Sequence, residues 1–132
     1  MRFLSLAAVA LTLAVPAAIP VTAAEQTDKV TVAMANFNYA PADLHLKSGR
    51  STTIHFVNNG SGGHDFTAPE FFAAATMDAS NRAKVGGTKG RVSLGKGESL
   101  DVTLTPAAGS YKVHCSHFMH SSLGMKGKIS VD

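Results

Sequence analysis

Short runs in which every second residue is apolar recur along this chain, and that period restricts the fold more than any other feature. Val30, Val32 and Met34 alternate with polar or small residues, so Lys29 to Met34 reads as a strand with one buried face. Leu44 and Leu46 alternate with Asp43, His45 and Lys47 in a second strand, closed by Ser48-Gly49. Thr52 to Val57 is β-branched and aromatic, with Ile54 and Phe56 on one face and His55 on the other. Arg91 to Leu94 runs into Gly95-Lys-Gly97, which reads as a hairpin turn leading to the alternation of Leu100, Val102 and Leu104. Tyr111, Val113 and Cys115 share a face of the next strand, with Lys112 and His114 opposite, and Ile129 and Val131 mark the last. Short strands with turn signals at this spacing predict an all-β fold, an antiparallel Greek-key β-sandwich. Phe37 and Tyr39, in the turn Asn36 to Pro41, are expected to close one end of its core.

Residues 67–90 break the pattern. Pro69-Glu70 followed by Phe71-Phe-Ala-Ala-Ala75 has a proline and an acid where a helix starts. The segment through Lys84 is one short helix or a looser excursion, ending at Gly86-Gly87. Phe71 or Phe72 could shield a site at the end of the sandwich. The favoured alternative is an insertion packed on its side.

The N-terminus carries a different signature. Met1-Arg2 is a short positive start, Phe3 to Val15 is apolar apart from Ser5 and Thr12, and Val21-Thr-Ala-Ala24 offers small residues to a signal peptidase. The run is too short to span a bilayer, so residues 1–24 read as a cleaved secretory leader and 25–132 as one exported, soluble domain without a membrane anchor. That domain carries eleven basic and nine acidic residues with no basic run, which argues against nucleic acid as a partner. A single cysteine cannot form an internal disulfide, so Cys115 is buried, reactive or a metal ligand.

Its neighbours favour the metal. Between His114 and Met125 lie the only cysteine, three of the six histidines and two of the five methionines. Thiolate, imidazole and thioether donors on a short loop between strands are what copper prefers. Cys115, His120 and Met125 supply three donors at five-residue steps. The best fourth is His64, after the turn-rich Asn58-Asn-Gly-Ser-Gly-Gly63. Two imidazoles and a thiolate make a trigonal set, completed by a weak axial thioether. Donor chemistry alone does not separate His120 from His117. His45 and His55 lie on outward faces, His114 points away from Cys115, and Met34 and Met77 read as core or loop filler.

Asn58-Asn59 before His64, then Tyr111, Cys115, His120, Gly124-Met125, Gly127 and Ile129, resemble the cupredoxin family of blue-copper proteins. The segment Phe37-Asn-Tyr-Ala-Pro41 also resembles small periplasmic members, and the spacers around His120 look more like rusticyanin than plastocyanin. The resemblance covers most of residues 25–132, except 67–90. It implies one copper ion cycling between Cu(I) and Cu(II), held by His64, Cys115, His120 and Met125. It places the ligand at His120, because no cysteine-to-histidine spacing in the family matches His117. It also implies that His120 lies near the surface, ringed by Phe118, Met119 or Leu123. Asp65 stands where many relatives have asparagine and could accept from the Ser116 hydroxyl or amide, its charge altering the copper's potential.

The expected function is therefore a periplasmic electron shuttle between redox proteins such as a cytochrome or an oxidoreductase, a monomer and not an enzyme. The alternative is a copper carrier or tolerance protein of the same fold, using His114, His117 and Met119 for a second, looser copper. His114-Cys115-Ser-His117-Phe-Met-His120 also resembles the last domain of multicopper oxidases. The chain has no His-X-His pair for a trinuclear cluster and no second cysteine for a two-copper centre. Two imidazoles, one thiolate and a thioether are a poor zinc set.

Overall fold

The computed structural model describes residues 26–132, so the expected leader lies outside the described residues. The alternating runs become nine strands: β1 (Asp28–Ala35), β2 (Asn38–Ala40), β3 (Asp43–Leu46), β4 (Thr52–Asn58), β5 (His64–Thr67), β6 (Arg91–Leu94), β7 (Ser99–Leu104), β8 (Gly109–His114) and β9 (Lys126–Val131). They form one sheet in the order β2-β1-β4-β7 and another in the order β3-β9-β8-β5-β6. This is the expected all-β sandwich. Its neighbours are not all antiparallel, because β1 runs parallel to β4 and β3 parallel to β9.

The alternation does what its period requires. In β4, Thr52, Ile54, Phe56 and Asn58 are buried while Thr53, His55 and Val57 are half-buried. Val32, Met34, Ile54, Phe56, Val92, Val102, Leu104 and Ile129 join one core cluster. Each such fully buried side chain contributes about 1.5–3 kcal/mol. An aromatic series crosses the core, with Phe66 centred 5.0 Å from Phe56, 5.4 Å from Tyr39 and 6.2 Å from Phe72.

Three expectations are corrected. Gly95 to Gly97 is not a hairpin turn, since β6 and β7 lie in opposite sheets. The chain crosses between them there, held at Asn58: the Gly97 N–H donates to its carbonyl, and its own N–H donates to the Glu98 carbonyl. The 67–90 excursion holds two helices, α1 (Pro69–Ala74) and α2 (Ala79–Lys84), followed by a 3-10 turn, Gly87–Lys89. A bridge from Thr76 to Thr105 and the Asp78 carboxylate capping α2 at the Asn81 N–H interrupt what could have been one helix. Phe71 and Phe72 are buried, Phe71 against Tyr111 at 5.5 Å, so the excursion packs on the side of the sandwich. Finally, Tyr39 closes the core as expected but Phe37 does not. Its φ of 66° turns the ring outward, where it is 41% exposed. No helix of the described residues is long and apolar enough to cross a membrane.

Candidate metal centre

Two polar networks bring the donors to one end of the sandwich. His64 opens β5, and its position follows from Asn58 at the end of β4. The buried Asn58 amide donates to the carbonyls of Gly62, Leu94 and Gly95, while its Oδ1 accepts the Gly60 N–H at 2.9 Å. That folds 59–63 into a tight loop against β6. Gly60 is required there, because a Cβ would sit 2.5 Å from His64 Nε2.

The second network shapes the loop after β8. The Cys115 N–H donates to the Met125 carbonyl at 3.1 Å, and the Met125 N–H donates to the His120 carbonyl at 3.0 Å. The three residues are thus tied together through their backbones. Cys115 and Met125 are buried, and His120 is half-buried.

The donor atoms converge. His64 Nδ1 lies 3.2 Å from His120 Nδ1, which lies 3.5 Å from Cys115 Sγ. All three fall within 4.8 Å of one another. A single ion bound at about 2 Å to each nitrogen fits among such atoms. The structure thus brings His64, Cys115 and His120 together and fastens Met125 beside them. His117 is not in this group. It forms another, in which its ring nitrogen, an Asp65 oxygen and Cys115 Sγ lie within 4.8 Å. Its ring stacks on His120 at a centroid distance of 5.4 Å and an interplanar angle of 17°.

Electrostatics suit a metal that takes neutral imidazole and thiolate. Burial, followed by the nearby His120 and His117, pushes the His64 pKa down and keeps the ring uncharged. Burial pushes the Cys115 thiol up, so metal binding must displace its proton. Tyr39 is also pushed up, first by burial and then by the charges of Cys115 and Asp65, and its hydroxyl donates to the Asp65 carbonyl at 2.6 Å.

Asp65 is 1% exposed and ties the two ligand segments together. Its carboxylate accepts from the Ser116 N–H at 2.9 Å, the Ser116 hydroxyl at 2.5 Å and the Thr67 hydroxyl at 2.7 Å. Both expected Ser116 contacts are therefore made. Arg91 in turn donates to the Ser116 hydroxyl oxygen at 2.9 Å, placing a cation one residue removed from the carboxylate.

Sequence reasoning missed Asn36. Its Oδ1 accepts from His64 Nε2 at 3.2 Å and from the Ser61 N–H at 3.0 Å, while its amide donates to the Ser61 hydroxyl. Nothing local in the sequence marks it, since an asparagine at a strand end is ordinary turn chemistry. Among the other histidines, His45 and His114 are exposed, and His55 pairs with Asp101 on the outer face of the sheet. Met34 is core, and Met77 packs against it.

A thiolate and two imidazoles at the end of a β-sandwich, with a buried methionine on the same loop, define a copper-binding protein. The chain belongs to the family described as copper binding proteins, plastocyanin/azurin family, whose model matches residues 26–132. That family binds one copper, and His64, Cys115, His120 and Met125 are positioned as a blue-copper site. The fold is shared with solved structures of low identity. A dithionite-reduced auracyanin of Roseiflexus castenholzii is 23% identical, with a TM-score of 0.58 over 79% of this chain and 96% of that one. Auracyanin A of Chloroflexus aurantiacus, described as a blue copper protein, is 24% identical, with a TM-score of 0.55 over 81% of this chain and all of that one. A multicopper oxidase is 17% identical, with a TM-score of 0.58 over 80% of this chain but 42% of that one. No curated protein sequence matches significantly.

Proposed function

We infer that this chain is a periplasmic, monomeric blue-copper protein that carries single electrons between redox proteins, with His64, Cys115, His120 and Met125 as its ligands. The observation that carries this reading is the meeting of His64 Nδ1, His120 Nδ1 and Cys115 Sγ at one point of a rigid sandwich. Bound copper supplies a one-electron couple. The protein's part is to hold its donors still. Asn58, Asp65 and the backbone bonds linking Cys115, His120 and Met125 tie them to strands, so a change of charge meets little ligand rearrangement.

The surface at that end supports a partner that docks and leaves. Half-buried His120 lies on a loop exposing Phe118 at 89%, Met119 at 53% and Leu123 at 55%. An apolar rim around one ligand lets a cytochrome or oxidoreductase approach the imidazole closely without a charged lock. The apolar run Phe3 to Val15 with its small-residue end supports export to the periplasm. Auracyanins, one of them described as a blue copper protein, share the fold.

Reconstitution with cupric ion tests the reading. The wild type should give an intense thiolate-to-copper visible band and a narrow copper hyperfine splitting in EPR. Cys115→Ser and His120→Ala should lose the band, and His117→Ala should keep it. Loss in His117→Ala with retention in His120→Ala would reverse the ligand choice.

A carrier role has one observation in its favour, the Asp65–Cys115–His117 group that shares the thiolate. Fast exchange with a cytochrome supports the shuttle. Slow exchange with ready transfer of copper to a chelator supports the carrier.

A further inference from the structure

The turn between β1 and β2 touches both imidazoles of the centre with consecutive residues. Asn36 Oδ1 lies 3.2 Å from His64 Nε2, and the Phe37 ring lies 5.3 Å from the His120 ring at an interplanar angle of 81°. A side-chain amide oxygen only accepts, so the proton of a neutral His64 belongs on Nε2. Nδ1, the nitrogen facing His120, is left with its lone pair free. A ligating histidine's outer nitrogen is where a protein fixes tautomer and ring angle.

The amide is itself held in that orientation. Its Oδ1 also accepts from the Ser61 N–H, and its NH2 donates to the Ser61 hydroxyl at 2.8 Å. Reversing the amide would turn its NH2 toward the Ser61 N–H, which can only donate, so that contact fixes Oδ1 on the His64 side. Gly60 leaves room for the arrangement, since a Cβ there would sit 2.9 Å from Asn36 Oδ1 as well as against His64.

Phe37 adds an independent mark. Among the described residues only Phe37 and Met119 have positive φ without being glycine, and both flank His120. A bulky aromatic at φ 66° is strained, and such outliers persist where the placement of the side chain matters. Here the strain sets the ring against His120 instead of in the core, where Tyr39, two residues on, lies buried.

We propose that Asn36 and Phe37 form a two-residue clamp on the copper centre, Asn36 fixing the His64 tautomer and Phe37 restraining the His120 ring. Both are positioning residues. The proposal rests on the copper reading above, but its first test needs no metal.

Long-range nitrogen–proton NMR of the metal-free full chain should show His64 as the Nε2-protonated tautomer, and Asn36→Ala should give a mixture. In the copper-loaded protein, loss of metal to a cuprous chelator should quicken about 10- to 100-fold in Asn36→Ala. Asn36→Asp keeps the acceptor and should stay within roughly threefold of wild type. Phe37→Ala should quicken copper loss and widen the EPR hyperfine splitting. Phe37→Gly relieves the backbone yet removes the ring, and it should behave as Phe37→Ala does. An Nδ1-protonated His64 in the wild type, or wild-type copper retention in Asn36→Ala, overturns the Asn36 half. Unchanged spectra and retention in both Phe37 variants overturn the other. A wild type that takes up no copper defeats the reading of the site, whereas the NMR result still decides whether Asn36 sets the tautomer.

Discussion

At the scale of single residues, Asp65 sets a buried carboxylate beside the ligand segments. A carboxylate oxygen within 4.8 Å of Cys115 Sγ places a negative charge close to the metal position. At an effective dielectric of about 20 and a separation of roughly 7 Å, one charge is worth about 2.4 kcal/mol. For a one-electron couple at about 59 mV per tenfold, that is on the order of 100 mV. The charge favours the oxidised ion. Asp65→Asn, which can keep the Ser116 contacts, should therefore raise the midpoint potential by up to this amount in a redox titration. Arg91 lies beyond the Ser116 hydroxyl and acts with the opposite sign, so Arg91→Ala should lower the potential by a smaller step. An unchanged potential in Asp65→Asn would mean that the carboxylate's charge is not felt at the metal. The Asp65–Ser116 tie was legible in sequence because both residues adjoin ligands. Asn36 was not, being 28 residues from the imidazole it holds.

Among the elements, β4 reaches the ligand segments through the side chain of Asn58. Its side chain holds three carbonyls and one N–H and is fully buried. Asn58→Ala strands partners that water cannot reach easily, at about 1–3 kcal/mol for each buried group left unsatisfied. It should destabilise the fold by roughly 2–4 kcal/mol in urea titration. It should also broaden the copper EPR signal, because the Gly60–Gly63 loop before His64 loses its anchor. A stability loss with an unaltered signal would show that β5 alone places His64. The same residue explains where sequence reading succeeded and stopped. Long alternating runs such as Thr52–Asn58 and Ser99–Leu104 were legible because burial on one face imposes period two. Gly95-Lys-Gly97 carries the same local signal whether a chain turns back in its own sheet or crosses to the other. Only the bonds from Asn58 and Glu98 decide, and these join positions distant in sequence. β2 has three residues, too few for a period to show. β5 hides its alternation because Asp65, on its outer face, is covered by the Ser116 segment.

For the whole molecule, metal, protons and folding are linked through two groups shifted in opposite directions. His64 has a folded pKa below its unfolded value of about 6.5, so in the metal-free protein its contribution is present above that pH and lost as pH falls through the folded value. Cys115 has a folded pKa above its unfolded value of about 8.5, so its contribution is present below that pH and lost as pH rises. The metal-free protein should thus be most stable between roughly pH 6.5 and 8.5. Cys115→Ala should flatten the decline at the alkaline side. Copper binding in that window displaces the thiol proton while His64 is already neutral, so conditional affinity rises about tenfold per pH unit. Each tenfold adds about 1.4 kcal/mol to a saturated folded state, or roughly 6 °C in Tm for a domain of this size. The difference in Tm between copper-loaded and metal-free protein should therefore widen steadily from about pH 6.5 to 8.5 in calorimetry. A constant difference would mean that no proton leaves on binding, and Cys115 would then already be a thiolate in the free protein.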